Sequence, residues 1–407
     1  MKTINSYNLN NKTVLLRIDI NSEVKKKKVL MSERIFQAAK TINILKRKNA
    51  KIVVIAHQGN PKSEDFVSLR QHAKLLNKYT KIKFINDIIG KKAEVAIKNL
   101  RKREAILLEN VRFLKDEFNP GKNLFVKKLS SLCDIYINDA FSVCHRKQSS
   151  IVSFPKYMKS CAGPLLYEEL KALKKIKVKN ALYILGGSKP KDEIKLLNKK
   201  NKVLVCGLFG QMCLIAKGKD LGAQSIFLKK HIKDFDKIIS NLKNKVKDAY
   251  TPVDFAVKVN GKRKEFLLED FPVKYEIFDI GHKTKELYVK EIKKAKAIYM
   301  KGVAGFCEEK EFSKGTRSLL NAIIKNKSFS LLGGGSLTSA LRRMKIPKKY
   351  FNHVSLSGGA LARYIAGEKL PGIEALKWYL GTDSILILKK DLDLCKDCFY
   401  NNYTIGK

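Results

Sequence analysis

Side chains that can bind anions follow short apolar segments in the first half of the chain. In sequence order the set is Arg17, Asp19, Asn21, Arg34, His57, Asn60, Arg112 and Arg146. Planar guanidinium groups bind phosphate or carboxylate oxygens in pairs, so this set suits a small substrate with several negative charges. One arginine in such a position is commonly a surface residue. Four of them, in a chain whose basic residues are mostly lysine, favour an anion-binding site.

Two glycine-rich segments in the second half also follow apolar segments. They consist of Gly186, Gly187, Ser188 and Lys189, and of Gly333, Gly334, Gly335 and Ser336. Glycines at a strand-to-helix turn let backbone amides approach a phosphate, and the helix N-terminus adds partial positive charge. Either segment alone is weak evidence, because tight turns need glycine anyway. The P-loop pattern G-x-x-x-x-G-K-[ST] does not occur, so a different phosphate site is predicted.

The apolar segments that precede these residues have the length of buried strands. They span residues 12–17, 51–57, 105–108, 134–137, 181–185, 202–206, 297–300 and 329–332. Stretches with helical spacing, such as 34–48, separate them. Strands that are apolar throughout and alternate with helices indicate parallel sheets covered on both faces. The predicted fold class is therefore α/β, with two doubly wound, mostly parallel-sheet (Rossmann-like) domains whose ligands bind beyond the carboxyl ends of the strands.

The domain boundaries are expected at residues 1–165 and 166–376. A strongly helical segment at 167–175, preceded by a glycine and a proline, is expected to form a hinge helix, with a cleft between the domains. Residues 377–407 form a tail of unassigned role, and its packing on the first domain is a hypothesis. The tail contains Cys395 and Cys398, but one C-x-x-C pair cannot complete a tetrahedral zinc site. The eight cysteines of the chain are expected to be free thiols.

The net charge of +45 allows two interpretations. Cationic surfaces bind nucleic-acid backbones, but nucleic-acid sites usually cluster their charge and interleave aromatic side chains. Here the lysines occur all along the chain, and residues 25–28 are the only sharp run. A compositional bias expressed on a solvated surface is the favoured interpretation, and a basic nucleic-acid-binding protein is the alternative.

Neither a membrane span nor a signal peptide is expected from the sequence. Apolar stretches fall well short of the roughly 20 residues that a membrane helix needs, and the N-terminus has no apolar core segment. A cytoplasmic protein that binds no membrane is therefore expected, and we expect a monomer.

Motifs of the first half resemble those of phosphoglycerate kinases. Residues 15–21 (LLRIDIN) match the family's R-[VI]-D-x-N opening, and residues 56–61 (AHQGNP) match its S-H-x-G-R-P. Residues 108–113 (LENVRF) and 138–146 match further signatures in order and spacing. The resemblance implies a 3-phosphoglycerate site in the first domain. Its implied residues are Asp19, Asn21, Arg34, His57, Asn60, Arg112 and Arg146.

Two residues of this implied site have particular expectations. Arg34 is implied to lie nearest the transferring phosphoryl group and to be catalytic. Asn60 stands where the family usually has arginine, and Lys62 is a candidate for supplying the missing charge.

The second half resembles the nucleotide domain of the same family. The matching motifs lie at residues 186–189, 251–254, 279–281, 301–308, 355–360 and 370–372. Among them, KGVAGFCE at 301–308 matches N-G-P-x-G-x-F-E with substitutions, and residues 206–210 and 215–218 resemble the archaeal branch. The implied nucleotide-binding residues are Gly186, Gly187, Lys189, Gly207, Pro252, Glu308, Gly333, Gly334, Gly335 and Ser336.

The resemblance also implies roles within this set. Lys189 would neutralise the transferring phosphoryl group, Glu308 would hold the ribose hydroxyls, and Pro252 would line the base pocket. Mg²⁺ would accompany ADP or ATP, held mainly by the nucleotide phosphates, and no protein ligand is assigned to it. Bacterial and eukaryotic members commonly read G-G-x-K-x-x-D-K, and here the last position is Glu193, which reverses a charge beside the phosphates. Ser336 replaces the usual aspartate that helps position the metal.

The function implied by the resemblance is reversible phosphoryl transfer between 3-phospho-D-glyceroyl phosphate and ADP, giving 3-phosphoglycerate and ATP in glycolysis and gluconeogenesis. Because Glu193 and Ser336 depart from the family pattern, a catalytically impaired relative that serves as a binding or scaffold protein is the alternative.

Overall fold

The computed structural model describes residues 1–176, 181–187, 190–197 and 201–377. The chain divides into two compact units. One contains Met1–Tyr167 together with the described residues from Lys369 onward, and the other is Glu168–Glu368. Within the described ranges, no helix combines the length and the apolar character required to cross a membrane.

The first unit is built on a sheet of six parallel strands with the order β5-β6-β4-β1-β7-β8. The strands of this sheet are β1 Thr13–Arg17, β4 Lys51–Ile55, β5 Lys83–Ile85, β6 Ala105–Leu108, β7 Ile135–Asn138 and β8 Lys159–Ala162. Two further strands, β2 Val24–Lys25 and β3 Lys28–Val29, form a separate short hairpin. The central strand β1 pairs in parallel with β4 on one side and with β7 on the other. The four predicted strands of this half are thus confirmed.

Helices cover this sheet because their apolar residues recur at helical spacing. They are α1 Glu33–Arg47, α2 Arg70–Leu76, α3 Lys91–Lys98, α4 Leu124–Leu132 and α5 Ser149–Val152. Helix α6 Pro164–Ile176 begins in this unit, and its residues from Glu168 onward belong to the second unit. In α1 the residues Ile35, Ala38, Ala39, Ile42 and Leu45 are almost completely buried, which places one apolar face of the helix in the core.

The second unit contains a sheet of five parallel strands, order β10-β9-β14-β15-β16, and a smaller sheet with the order β12-β11-β13. The strands are β9 Leu182–Leu185, β10 Lys202–Val205, β11 Asp254–Val259, β12 Lys262–Leu267, β13 Ile277–Ile280, β14 Ala297–Lys301, β15 Phe329–Gly333 and β16 His353–Ser355. The helices are α7 Pro190–Glu193, α8 Gly207–Ala216, α9 Ala223–His231, α10 Phe235–Lys243, α11 His282–Lys294, α12 Lys314–Asn326, α13 Gly335–Arg343 and α14 Gly359–Ile365. The predicted α/β class is confirmed.

The small sheet is antiparallel and was not predicted. Strands β11 and β12 form a hairpin whose turn contains Asn260 and Gly261, both with positive φ (48° and 76°). An Asn-Gly pair between two potential strands is a strong hairpin signal, because both turn positions require left-handed backbone. The sequence therefore carries a local signal for this hairpin at Asn260 and Gly261.

The segment expected to form a hinge helix, 167–175, is part of α6. The helix begins at Pro164, whose missing N–H costs nothing in the first turn. The next two backbone amides, of Leu165 and Leu166, donate to Oδ1 of Asp139 at 2.7 and 3.1 Å. The other carboxylate oxygen of Asp139 accepts a bond of 2.6 Å from the hydroxyl of Thr41. Asp139, from the loop after β7, therefore caps α6 and ties it to α1.

Replacing Asp139 with alanine is expected to lower the free energy of unfolding by about 1–3 kcal/mol, because it leaves buried donors at the start of α6 without an acceptor. Urea denaturation measures the change. The exposed carboxylate of Glu64 provides a control, since Glu64→Ala should alter stability by less than about 0.5 kcal/mol. Equal losses in the two variants would contradict the capping role.

A last helix, α15 Pro371–Ala375, groups with the first unit. The amide of Gly372 donates to the carbonyl of Cys144 at 2.8 Å, and a Cβ at residue 372 would lie 2.6 Å from Cγ2 of Ile151. Residues 369–376 had been expected in the second domain, and this close packing on α5 explains the difference.

The tail beyond residue 377, with Cys395 and Cys398, lies outside the described residues. The six cysteines in the described ranges are all buried free thiols.

Candidate functional site

The anion-binding residues of the first unit lie along one edge of its sheet. Strands β6, β4, β1 and β7 are adjacent and parallel, so the loops that follow them emerge at the same edge. These loops carry the residues predicted from the sequence.

Arg17, at the end of β1, is fully buried and positions a histidine. Its Nη2 lies 3.0 Å from Nδ1 of His57, and its Nε donates to the hydroxyl of Ser150 at 3.0 Å. The carboxylate of Glu117 accepts from both the amide (2.9 Å) and the hydroxyl (2.7 Å) of Ser150. Because a guanidinium can only donate, Nδ1 of His57 accepts and Nε2 carries the proton.

His57 is neutral at physiological pH. Burial lowers its pKa well below 6.5, and the positive charge of Arg17 lowers it further. Asp19 opposes this shift, whereas Arg112 and Arg146 add to it. The histidine therefore offers the site an N–H donor without adding a charge.

Arg34, the first predicted catalytic residue, is oriented from the end of β1. Its Nη1 lies 3.4 Å from Oδ2 of Asp19 and donates to the carbonyl of Asn21 at 3.0 Å. The Asn21 side chain accepts from the amide of Gly59 at 2.8 Å, which joins the first strand end to the second. Burial opposes ionisation of Asp19, but the charge of Arg34 and hydrogen bonds from the Ser142 hydroxyl and the Asn21 amide outweigh it, so the pKa of Asp19 lies well below its usual range. A charged Asp19 thus holds Arg34 at the rim.

Arg112 has hydrogen-bonding capacity that the protein does not use. Its Nη1 donates to Oδ1 of Asn60 at 2.8 Å and to the carbonyl of Gly59. Its Nε and Nη2 are buried and have no hydrogen-bond partner among the described residues. Burial lowers the pKa of Arg112 to about 10, with Arg146 and Arg17 as further causes. Buried donors repelled by like charges would be stabilised by a bound anion.

Asn60 stands at the position of the family arginine, and Lys62 is the candidate for supplying the missing charge. Asn60 is exposed and supports Arg112 through the hydrogen bond described above. Lys62 is exposed as well, on a left-handed turn with a φ of 70°. Asn60 therefore helps to position the guanidinium group of Arg112.

A second histidine, His72, supports this edge from α2. Its Nε2 lies 3.0 Å from Oε1 of Gln58, which also accepts the amide of Ser22 at 2.8 Å. The amide nitrogen of Gln58 donates in turn to the carbonyls of Ser22 and Asp65. Burial lowers the pKa of His72 to about 4.

This shift predicts that stability falls in mild acid. Below pH 6.5 the unfolded chain protonates His72 while the folded chain does not until about pH 4, so unfolding is favoured progressively within that window. His57 acts in the same direction. His72→Gln should reduce the pH dependence of the unfolding free energy by up to about 1.4 kcal/mol per pH unit, as urea denaturation at several pH values would show. The exposed His282→Gln is the control, and parallel curves for His72→Gln and the unmodified protein would refute the assignment.

The glycine-rich segments of the second unit line two adjoining cavities. The larger has a volume of about 630 Å³ and the smaller about 210 Å³, and both are lined by Gly187 and Ser336. The smaller is lined by Gly186, Gly187, Asp192, Glu193, Lys301, Gly302, Gly334, Gly335, Ser336, Gly358 and Gly359. Helix α13 begins with Gly335, one of these lining residues, so the N-terminus of the helix lies at this cavity.

Glycine is required at particular points of these walls. Gly207, which begins α8, has a φ of 54°, and a Cβ there would lie 2.4 Å from the carbonyl oxygen of Val303. Gly334 has a φ of 101°, which side chains rarely adopt. Gly333 is the last residue of β15, and Lys189 lies outside the described residues.

The larger cavity combines apolar and amide groups. Leu208, Phe227 and Phe278 line it, together with Gln211 and Gln224, whose side chains are hydrogen-bonded to each other at 2.8 Å. None of these was predicted, because nothing in their spacing marks a pocket. Pro252, which was predicted here, is buried and is not among the lining residues. Its Cδ lies 3.6 Å from a Cβ built on Gly210 of α8.

Glu308 and Arg343 form an ion pair on the wall of the larger cavity, with both side chains about half exposed. Glu308 is the residue predicted to bind ribose. Arg343, at the end of α13, was not predicted as a site residue. An arginine in a lysine-rich chain was the feature that indicated Arg34 and Arg112, and the same feature would have indicated Arg343.

Two acidic residues from the matched motifs anchor the fold of this unit. Asp254 accepts from the amides of Lys283 and Thr284, both at 2.8 Å, and so caps α11. Asp279 accepts from Arg263 at 2.9 Å and from the amide of Gly315 at 2.8 Å, and burial raises its pKa to about 6. These motifs hold the cavity walls in place.

Comparison with known proteins identifies the family of the chain. A family model described as phosphoglycerate kinase matches residues 4–368, which include both the anion site and the two cavities. The chain belongs to the phosphoglycerate kinase family.

Similar phosphoglycerate kinases cover almost the whole chain. The enzyme of Methanothermus fervidus is 38% identical, over 92% of this chain and 96% of its own length. That of Sulfurisphaera tokodaii is 39% identical, over 92% and 95% respectively. The crystal structure of the phosphoglycerate kinase from Pyrococcus horikoshii OT3 has a TM-score of 0.84 at 34% identity, covering 93% of this chain and 98% of that one. These relatives are archaeal, which confirms the predicted branch.

The departure at residue 193 from the phosphoglycerate kinase pattern has a structural counterpart. Glu193 is buried, and its Oε1 accepts a hydrogen bond of 2.6 Å from Nζ of Lys301. The negative charge of Glu193, at the end of α7, is therefore balanced by the ammonium group of Lys301, at the end of β14.

Proposed function

We propose that this chain transfers a phosphoryl group reversibly from 3-phospho-D-glyceroyl phosphate to ADP, giving 3-phosphoglycerate and ATP, as a step of glycolysis and gluconeogenesis. The observation that carries the proposal is the extent of the family match. It spans residues 4–368, so the arginine cluster of the first unit and the glycine-lined cavities of the second unit both lie within it.

The arginine cluster is the proposed site for the phosphoglycerate. Arg112, with two buried nitrogens that have no partner among the described residues, and Arg146 would bind its phosphate in the fork geometry that guanidinium favours. Nε2 of His57 would donate a further bond, and Asn21 would add a polar contact. Asp19 holds Arg34 by an ion pair, and the Arg34 guanidinium would contact the phosphoryl group in transfer.

The two cavities are the proposed nucleotide site. The larger, with its phenylalanine and glutamine side chains, has the mixed apolar and polar lining expected for a base and a ribose, with Glu308 on its wall. The smaller, at the start of α13, would hold the phosphates against residues 333–336. Lys189 would neutralise the transferring group from the segment that follows Gly187.

The donors of the smaller cavity also fit a magnesium ion brought by the nucleotide. The Asp192 carboxylate and the Ser336 hydroxyl supply hard oxygen atoms, which this ion prefers. Across the described ranges no group of three metal-binding side chains occurs, so the nucleotide phosphates would supply most of the ligands. Bound magnesium would neutralise phosphate charge.

Phosphoryl transfer requires that the two substrates are positioned in line and that the charge of the phosphoryl group is neutralised. An oxygen of the terminal phosphate of ADP attacks the phosphorus of the acyl phosphate, forming one P–O bond as the bond to the acyl oxygen breaks. The leaving group is a carboxylate, which is stable without a proton, so no general acid is needed. Arg34 and Lys189 would stabilise the charge on the three equatorial oxygens of the phosphoryl group.

A coupled spectrophotometric assay tests the proposal. With 3-phosphoglycerate and MgATP, the unmodified protein should form the acyl phosphate at a rate that depends on both substrates. If turnover is absent, calorimetry with MgADP separates the remaining hypotheses, since absence of binding at millimolar nucleotide would favour a scaffold protein. A monomer acting in the cytoplasm is also part of the proposal, which sedimentation velocity and cell fractionation would test.

A further inference from the structure

A buried lysine–glutamate pair forms part of the wall of the smaller cavity. Nζ of Lys301 donates to Oε1 of Glu193 at 2.6 Å, and the two side chains are only 6% and 2% exposed. Burying two charges costs several kcal/mol per ion before their attraction repays it, so an apolar pair of similar size would often be at least as stable. Stability alone is therefore a weak explanation for charges at this place.

The position of Lys301 links the two glycine-rich segments. It is the last residue of β14, where it pairs with Leu185 of β9 on one side and Gly333 of β15 on the other. Its carbonyl oxygen accepts the amide of Gly186 at 2.7 Å. Each glycine-rich segment begins at one of these neighbouring strand ends, so Lys301 lies between them.

The ammonium group has donors to spare. Its three N–H groups have one hydrogen bond among the described residues, the bond to Glu193. The remaining two N–H donors belong to a side chain that lines the cavity beside Gly334 and Ser336. A phosphate oxygen is the acceptor that would satisfy them with the largest electrostatic gain.

We propose that Lys301 is a phosphate-binding cation of the nucleotide site and that Glu193 is its positioning residue. This inference rests on the proposed function. Both residues depart from motifs that the chain otherwise resembles, the asparagine of N-G-P-x-G-x-F-E at Lys301 and the lysine of the bacterial and eukaryotic motif at Glu193. Compared with these motifs, the two departures together move one positive charge from α7 to the end of β14. The glutamate fixes the ammonium, because a single short bond from a side chain on α7 limits its rotamers.

Calorimetry with MgADP and with adenosine tests the inference. Lys301→Met is expected to weaken MgADP binding about 10- to 100-fold and to leave adenosine binding unchanged within about twofold, since only ADP has the phosphates that Lys301 contacts. Lys296→Met, at an exposed lysine just before β14, is the matched control and should bind both ligands normally. Glu193→Gln should weaken MgADP binding less than Lys301→Met does.

Several outcomes would overturn the inference. They are equal losses for ADP and adenosine in Lys301→Met, normal MgADP binding by the double variant Lys301→Met/Glu193→Gln, and absence of MgADP binding by the unmodified protein. If Lys301→Met does not fold, the exchange variant Lys301→Asn/Glu193→Lys replaces it, and it should bind MgADP within about tenfold of the unmodified protein because the cation is restored. An unmodified protein that binds MgADP but transfers no phosphoryl group would refute the proposed function alone.

Discussion

Arg34→Ala is expected to lower kcat about a hundredfold or more, which corresponds to roughly 3 kcal/mol or more of transition-state stabilisation. The guanidinium of Arg34 is held by Asp19 and by the carbonyl of Asn21, at 3.4 and 3.0 Å. Arg34 is proposed to contact the phosphoryl group during transfer and not the bound 3-phosphoglycerate alone, so the loss should affect kcat more than the KM for 3-phosphoglycerate.

Two further variants make this test specific. Arg47→Ala removes an exposed arginine from the last turn of the same helix and should leave kcat within about twofold of the unmodified value. Arg34→Lys keeps the charge but not the planar fork, so an intermediate kcat is expected. Equal turnover by Arg34→Ala and Arg47→Ala would remove Arg34 from the mechanism.

Lys189→Ala should have an effect of similar size, again about a hundredfold or more on kcat. Lys189 follows Gly186 and Gly187, which line the smaller cavity at the end of β9. The role proposed for Lys189 is to neutralise the transferring phosphoryl group. The coupled assay under saturating substrates measures the loss, and calorimetry shows whether MgADP binding survives.

The control for this variant is two residues further along the chain. Lys191→Ala removes an exposed lysine that pairs with Asp234 at 2.6 Å, and it should leave turnover nearly unchanged. Undiminished turnover by Lys189→Ala would show that the positive charge needed for transfer comes from elsewhere, with Lys301 as the next candidate.

The central strands were predictable because they are apolar throughout. All eight predicted strands were found within two residues of their expected limits, as β1, β4, β6, β7, β9, β10, β14 and β15. Two of the missed strands, β5 and β16, lie at sheet edges and have only three residues each, which is too short for a period to show.

Site residues that belong to a recognisable sequence motif could be predicted. Contacts between side chains that are far apart in the sequence could not. Nothing local in the sequence shows that Arg17 lies inside the fold and fixes the tautomer of His57. Likewise Glu193 and Lys301 are 108 residues apart, so their pairing depends on the register of β14 with β9. A charge reversal in one segment can thus be balanced by a substitution in another.

The most direct measurement follows a radiolabelled γ-phosphate from MgATP during incubation of the unmodified protein with 3-phosphoglycerate. We expect the label to appear in a bisphosphorylated acyl phosphate that hydroxylamine destroys, with transfer requiring both substrates. Label that stays in ATP, or that is released only as inorganic phosphate, would contradict phosphoryl transfer by this chain.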